Sequence, residues 1–437
     1  MKLKNFRWWI AGLLAVITAI NYLDRQNFPL VYAEINKVIP ISDSQFGFLN
    51  SLFLFMYGTM YAVGGRIVDV AGTRIGYAVM AAWWSVANIC HAFVTSVTGL
   101  GICRFFLGAG EGGGFPASAK VISEWFPKKE RSYAFGIFNT GSSIGAILAP
   151  VLVLLIVNYF GSWRWTFVVF GVTGLVWVAV WMKLFNRPEK SKYITENEKQ
   201  LIHDDLKAGE KQIQENKQSK IPWNELLKIR KLWGLLTIKF LTDAAWFFFI
   251  FWLPKYLYDV RGLDIKGIGT YAWIPFAFAA VGSFIGGWLS SYLIKKQVSL
   301  DLSRKIALGI SAALLPASLL ITSTSSFLFA IFFFGLAMMG HQFWSTIVQT
   351  LAVDIFPSEI VGTVSGIMGC IGTYGAMLFN LMIGFLIQHA GYTPAFIISG
   401  ILHPISFVLV FIIIQKIEPV HLFNINKERN PQLLLQS

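Results

Sequence analysis

The chain has 437 residues, 55% of them hydrophobic and only 14% charged, with 38 Phe, 16 Trp and a mean hydropathy of +0.59. A soluble core of this length does not absorb so much apolar surface, so the composition describes an integral membrane protein. The net charge of +13 would suggest nucleic acid in a soluble protein, but the basic residues gather in particular loops, which is a topology signal and leaves no expected nucleic-acid partner.

Hydrophobic runs long enough to cross roughly 30 Å of hydrocarbon as helix recur about twelve times, at about 9–33, 46–65, 76–95, 98–124, 132–157, 164–184, 233–258, 266–294, 306–323, 326–351, 361–387 and 392–414. Lys2, Lys4 and Arg7 precede span 1; Arg66 and Arg74 separate spans 2 and 3; Lys128, Lys129 and Arg131 follow span 4; Lys295, Lys296, Arg304 and Lys305 follow span 8. The even-numbered loops and both termini are therefore expected on the cytoplasmic side. Met1–Tyr22 lacks a small-residue cleavage site, so no cleavable signal peptide is expected. Cys90, Cys103 and Cys370 all fall in apolar stretches without metal-ligand spacing, so neither disulfides nor a metal site is expected.

Span 1, in WIAGLLAVITAINYLDRQNF, carries Asp24 and Arg25. Span 4, in LGICRFFLGAGEGGGFPASA, carries Arg104 and Glu111. Each such charge costs several kcal/mol in hydrocarbon unless paired or facing water, so an intramembrane ionisable group is a functional candidate by default. With about 1.5 Å rise per residue, Asp24-Arg25 and Arg104 fall at one level, with Glu111 roughly 10 Å deeper on nearly the same face as Arg104. Asp24 and Arg25 point about 100° apart, so one is expected to face the cavity and the other to pack toward span 4. Mutual neutralisation alone would be an expensive arrangement, because desolvation offsets most of the Coulomb gain of a buried pair. A guanidinium matches a carboxylate bidentately, which makes Arg25 and Arg104 the anion ligands. A carboxylate in a low-dielectric site is the group that can take up and release a proton there, which makes Glu111 and Asp24 the proton-coupling candidates. Gly110, Gly112, Gly113 and Gly114, with Pro116 behind them, should soften span 4 beside Glu111 or allow close helix packing.

The stretch 186–231 is dense in Lys, Glu and Gln and reads as a solvated linker dividing the chain into halves 1–185 and 232–415, with a tail at 416–437. The halves look like repeats. FPKKERSYAFG after span 4 is echoed by FPSEIVGTVSG after span 10, and Gly64-Gly65 in span 2 by Gly286-Gly287 in span 8. Parallel six-span repeats with a central site are a secondary-transporter architecture.

At Gly65-Arg66-Ile67-Val68-Asp69-Val70-Ala71-Gly72-Thr73-Arg74 the chain resembles the major facilitator superfamily, and the resemblance runs over nearly its whole length. It implies an all-α integral membrane fold of twelve transmembrane helices in two pseudo-symmetric six-helix halves. In that family Gly65, Asp69, Gly72 and Arg74 form a conformational latch rather than a substrate site. Asn21-Tyr22-Leu23-Asp24-Arg25, Arg104 through Pro116, Glu124-Trp125-Phe126-Pro127, Phe138 through Ala146 and Gly340-His341-Gln342 are similar to the anion:cation symporter branch, and within it to hexuronate and galactonate transporters. Some hexuronate members lack the acid that Asp24 supplies and galactonate members have it, which leaves the coupling ratio and the exact substrate open. TGSSIGAILAP stands in span 5 where drug antiporters carry a Gly-Pro run.

Sugar hydroxyls call for amides, hydroxyls and aromatic rings. The candidates facing a central cavity are Tyr22, Tyr57, Asn139, Ser142, Asp243, Trp246, His341, Gln342, Thr346, Tyr374 and Asn380. His341 is a second proton candidate. No phosphate loop, nucleotide fingerprint or cofactor motif is present, so energy should come from an ion gradient. The resemblance implies a monomeric, multi-pass inner-membrane symporter, not an enzyme, that imports a sugar-acid monoanion, first a hexuronate, with protons. Sodium-coupled or facilitative uptake of galactonate or glucarate is the alternative within transport. A membrane sensor of the sugar acid is the alternative outside it.

Overall fold

A computed structural model describes residues 4–127, 129–203, 226–356 and 358–420. Helix occupies every predicted span. Spans 1 to 6 are Phe6–Leu30, Asp43–Ala71, Thr73–Cys90, Val97–Glu111 with Gly114–Trp125, Arg131–Phe160 and Arg164–Leu184. Spans 7 to 12 are Arg230–Asp259, Ile265–Tyr271 with Trp273–Lys295, Leu300–Leu314 running on to Ser323, Phe327–Ile355, Ser358–Ala390 and Tyr392–Leu409 running on to Ile414. Among the described residues, 10 helices are long and apolar enough to cross a membrane. Span 3 and the two pieces of span 4 are the shorter ones.

Local chemistry sets the helix starts. The side chains of Ser42, Ser96, Asp264, Ser299 and Ser326 each accept from the N–H three residues on, satisfying donors that the first helical turn leaves open. Gly72, at φ 78°, makes the turn between spans 2 and 3 in a backbone region that residues with a Cβ avoid. Span 2 runs two turns beyond its expected end at 65, so Gly65 and Asp69 lie on helix rather than in a loop.

The packing repeats with a shift of six spans. Span 1 packs on 5, 2 on 4 and 3 on 6; correspondingly 7 packs on 11, 8 on 10 and 9 on 12. The halves meet along two seams, 2 with 11 and 5 with 8, which the same pseudo-twofold relates. Exposed apolar side chains such as Val16, Phe48, Trp83, Leu155, Phe284, Phe329, Phe385 and Phe411 cover the outside of the bundle, as a lipid-facing surface requires.

The expected solvated linker is not wholly solvated. Ile194 and Ile202 are buried. Glu198 accepts from the backbone N–H groups of Phe6 and Arg7 and pairs with the Arg7 guanidinium at 2.8 Å. The Arg7 guanidinium also pairs with Glu130 at 2.7 Å. An apolar residue every few positions and one acid aimed at a helix N-terminus dock this stretch onto the first half. Residues 204–225 of the linker and 421–437 of the tail lie outside the described residues.

At the end of the bundle opposite the termini, side chains from both halves interlock. Lys255 of span 7, 2% exposed, reaches Asp43 of span 2 at 2.5 Å and also pairs with Asp259. Tyr392 donates to Asp259 at 2.6 Å, and the Lys255 ammonium lies 4.6 Å from the Tyr32 ring centre. Phe46 meets Trp252 edge-on at 4.9 Å, and the Ser44 N–H donates to Gln388. The far end is closed.

Candidate functional site

Asp24, Arg25 and Arg104, expected at one level, make no hydrogen bond with one another among the described residues. Arg25 donates instead to Glu111, from Nε at 3.3 Å and Nη2 at 3.2 Å, both to Oε2, and Nη2 also donates to Asn21 at 2.7 Å. The reason is side-chain direction. A helical side chain leans toward its own N-terminus, so Arg25 reaches back past Asn21 while Glu111, on an antiparallel span, leans up to meet it. The ring centres of Tyr57 and Tyr22 lie 4.5 and 4.8 Å from the guanidinium carbon, contacts that cation–π attraction favours. Glu111 Oε1 is buried with no partner among the described residues.

Asp24 makes no hydrogen bond to span 4, though Glu111 of that span is within its electrostatic reach. It accepts from Asn88 of span 3 at 2.7 Å, and Asn88 also donates to the Phe167 carbonyl of span 6. Asp24 is 0% exposed, and its second oxygen has no partner among the described residues. Arg104 donates to Asn50 of span 2 at 3.0 Å and sits in a cage of Phe53, Phe28 and Phe251, the last from the second half. Its Nε and Nη1 are buried without partners among the described residues. Phe53 lies against both guanidiniums, so the two arginines share one wall.

Span 4 breaks immediately after Glu111, where the glycines cluster. Close packing is the physical reason for glycine here. A Cβ at Gly112 would meet the Tyr57 carbonyl, and one at Gly110 would fall 2.5 Å from Trp84 Cβ.

In the second half, Trp246 stacks on His341 at 4.8 Å with 10° between the rings, and His341 Nδ1 contacts His403 Nε2 at 3.1 Å. His341 is thus a buried packing partner of Trp246. Thr346 bonds Ser283 across spans 10 and 8 at 3.0 Å, and Gln342 is half-buried one turn away. Tyr374 bonds Thr59 across the seam of spans 2 and 11 at 2.9 Å. Asn380 is committed elsewhere, accepting from Trp252 and donating to the Ala376 carbonyl beneath the closed far end. Ser142 donates to the Asn139 carbonyl on span 5, and the Asn139 side chain is exposed. Arg25, Glu111, Tyr22 and Tyr57 therefore form one cluster, with Asp24 and Arg104 hydrogen-bonded elsewhere but within electrostatic reach of Glu111, and Asn380 apart from it.

The latch residues sit at the terminal end. Asp69 pairs with Lys120 of span 4 at 2.9 Å, and Arg74 donates to the Met182 carbonyl of span 6. Both contacts stay within the first half.

Sequence reasoning missed Asn21, Asn50, Asn88, Lys239 and His403. Lys239 had a usable signal, being a lysine four residues before Asp243 inside LLTIKFLTDAAWFFF, the pattern that exposed Arg25. Asn21 stood in the motif beside Arg25 without a role; Asn50 and Asn88 had no signal, because their role depends on which charge packing brings to them.

Residues 14–372 and again 298–436 match the Major Facilitator Superfamily. The chain is 31% identical over 415 residues to the hexuronate transporter of Escherichia coli (strain K12), covering 95% of each. It is 33% identical over 315 residues to the galacturonate transporter of Dickeya chrysanthemi, covering 72% of this chain and 90% of that one. The crystal structure of a D-xylose-proton symporter superposes with a TM-score of 0.73 at 14% identity, over 94% of this chain and 98% of the other. With the helical repeat, the buried charges and these likenesses together, the chain belongs to the Major Facilitator Superfamily and is a membrane transporter, not an enzyme.

Proposed function

We propose that the chain imports a sugar-acid monoanion, first a hexuronate, together with a proton, across a bacterial inner membrane with both termini in the cytoplasm. The observation that carries this reading is the single guanidinium of Arg25 lying against two tyrosine rings and occupied by Glu111. A substrate carboxylate and the Glu111 carboxylate compete for the same donors. Protonating Glu111 removes its charge and frees Arg25 for the incoming anion, so proton and anion load together. Halves 1–185 and 232–415 then rock about this site. In the closed-far-end state the substrate leaves toward the cytoplasm, and Glu111 loses its proton as it regains Arg25.

The printed substrates of the two relatives, hexuronate and galacturonate, support the choice of anion. The test is uptake of labelled galacturonate into proteoliposomes under an imposed pH gradient, with an imposed sodium gradient alongside. Accumulation driven by the pH gradient alone is expected. Accumulation driven only by sodium would overturn proton coupling, and absence of counterflow would overturn transport of this acid.

A further inference from the structure

Span 7 carries a second intramembrane charge pair that the coupling scheme does not use. Lys239 Nζ lies 2.7 Å from Asp243 Oδ1, and both side chains keep a little exposure, 13% and 11%. At about 1.5 Å per residue the pair sits roughly 14–20 Å into the helix, deep in the hydrocarbon layer, where a solvated surface pair would not be found. Span 11 makes room for it. A Cβ at Gly372 would run into Asp243 Oδ2 and come within 3.2 Å of Lys239 Cγ. One turn earlier, Gly369 accommodates the ring of Tyr61 from the opposite half. Tyr61 is within electrostatic reach of Asp243 on one side and of Tyr57, Tyr22 and Arg25 on the other. Tyr61 thus links the second pair to the Arg25 cluster across the seam between the halves. Trp246 shares its helix face, since positions 239, 243 and 246 follow the helical repeat.

We propose that the Lys239–Asp243 pair is a hydroxyl-reading subsite, taking the ring hydroxyls remote from the carboxylate that Arg25 holds, so that one sugar acid bridges both halves. This rests on the sugar-acid reading above. An ammonium has three donors and spends one on Asp243 Oδ1; the carboxylate keeps its second oxygen as acceptor. Neighbouring hydroxyls can accept from the one and donate to the other, in charge-assisted bonds stronger than neutral ones.

The experiment compares affinities of purified protein for galacturonate and for glycerate, a short acid that has the carboxylate but no remote ring. The doubly neutral variant, Lys239→Gln with Asp243→Asn, is expected to lose about tenfold or more for galacturonate and to keep glycerate within about twofold. The exchanged variant, Lys239→Asp with Asp243→Lys, restores an ion pair but not the donor and acceptor positions, and should bind galacturonate as weakly. Full galacturonate affinity in the exchanged variant would reduce the pair to helix packing and overturn the subsite. Equal losses for both acids would place the carboxylate at Lys239 and overturn the orientation. If the unaltered protein binds no sugar acid, the transport reading itself falls, and this inference with it.

Discussion

Arg25 offers Nε and Nη2 to a single oxygen of Glu111 while Asn21 takes a further bond, so the guanidinium works as a fork whose tines are already aimed. Arg25→Lys would replace that fork with a point charge on a flexible stem. Galacturonate affinity is expected to fall at least tenfold, about the value of one charge-assisted hydrogen bond, and unchanged affinity in a thermal-shift titration would remove Arg25 as the anion ligand. Glu111→Gln copies the protonated acid permanently. Exchange of preloaded substrate should persist while pH-driven accumulation is lost, because only net uptake needs the proton to leave before the empty carrier resets. Counterflow and gradient uptake measured side by side in vesicles check this; concentration against a gradient in that variant would put the proton elsewhere. The charges at Asp24, Arg25, Arg104, Glu111 and Asp243 were legible in the sequence, because an ionisable residue in a long apolar run stands out. Their partners were not. Whether Asp24 meets Asn88 or Arg104 depends on helix rotation and on side chains leaning back along their helices, and depth alone contains neither.

At the level of single helices, span 4 joins packing to chemistry. Its glycines let Tyr57 and Trp84 approach closely, next to the point where the helix is interrupted beside Glu111. Gly112→Ala would push the Tyr57 carbonyl away and, with it, the ring that covers Arg25. Overpacking of this kind costs about 1–3 kcal/mol, so the expected outcome is a lowered melting temperature together with weakened substrate binding. A variant that melts and binds as the unaltered protein does would show that the close approach is incidental. The spans were readable from hydropathy, but span 2 was cut short at its Gly-Gly-Arg because a glycine pair resembles a turn. The linker was read as fully solvated because charge density masks three residues, Ile194, Glu198 and Ile202, that dock it.

Over the whole molecule, the shift-by-six packing was foreseeable from the paired FP…G segments, while the state of the two ends was not, since alternating access gives one sequence more than one arrangement. The far end is held by Lys255 between Asp43 of one half and Asp259 of the other. Asp43→Asn removes the cross-half ion pair and leaves the pairing within span 7. Spin labels at Val38 and Val260, exposed at 62% and 50% on opposite halves, should then report a longer distance distribution than in the parent protein. An unchanged distribution would mean that the aromatic contact of Phe46 with Trp252 closes this end unaided.

The separation of Asp24 from the Arg25 cluster also has an electrical meaning. In the proposed scheme only Glu111 shares a guanidinium with the substrate, while Asp24 is hydrogen-bonded to Asn88 and within electrostatic reach of Glu111. If Glu111 carries the proton by itself, as proposed, one proton enters with one monoanion and the loaded carrier moves no net charge through the membrane field, where each uncompensated charge would be worth about 2.3 kcal/mol per 100 mV. A potassium diffusion potential, negative inside, should leave galacturonate accumulation unaltered at fixed pH gradient, and Asp24→Asn should not change that indifference. Uptake that steepens with the potential would mean that a second proton travels with the anion, and Asp24 would be the acid that carries it. On the proposed scheme, uptake draws on acidity and is silent to voltage.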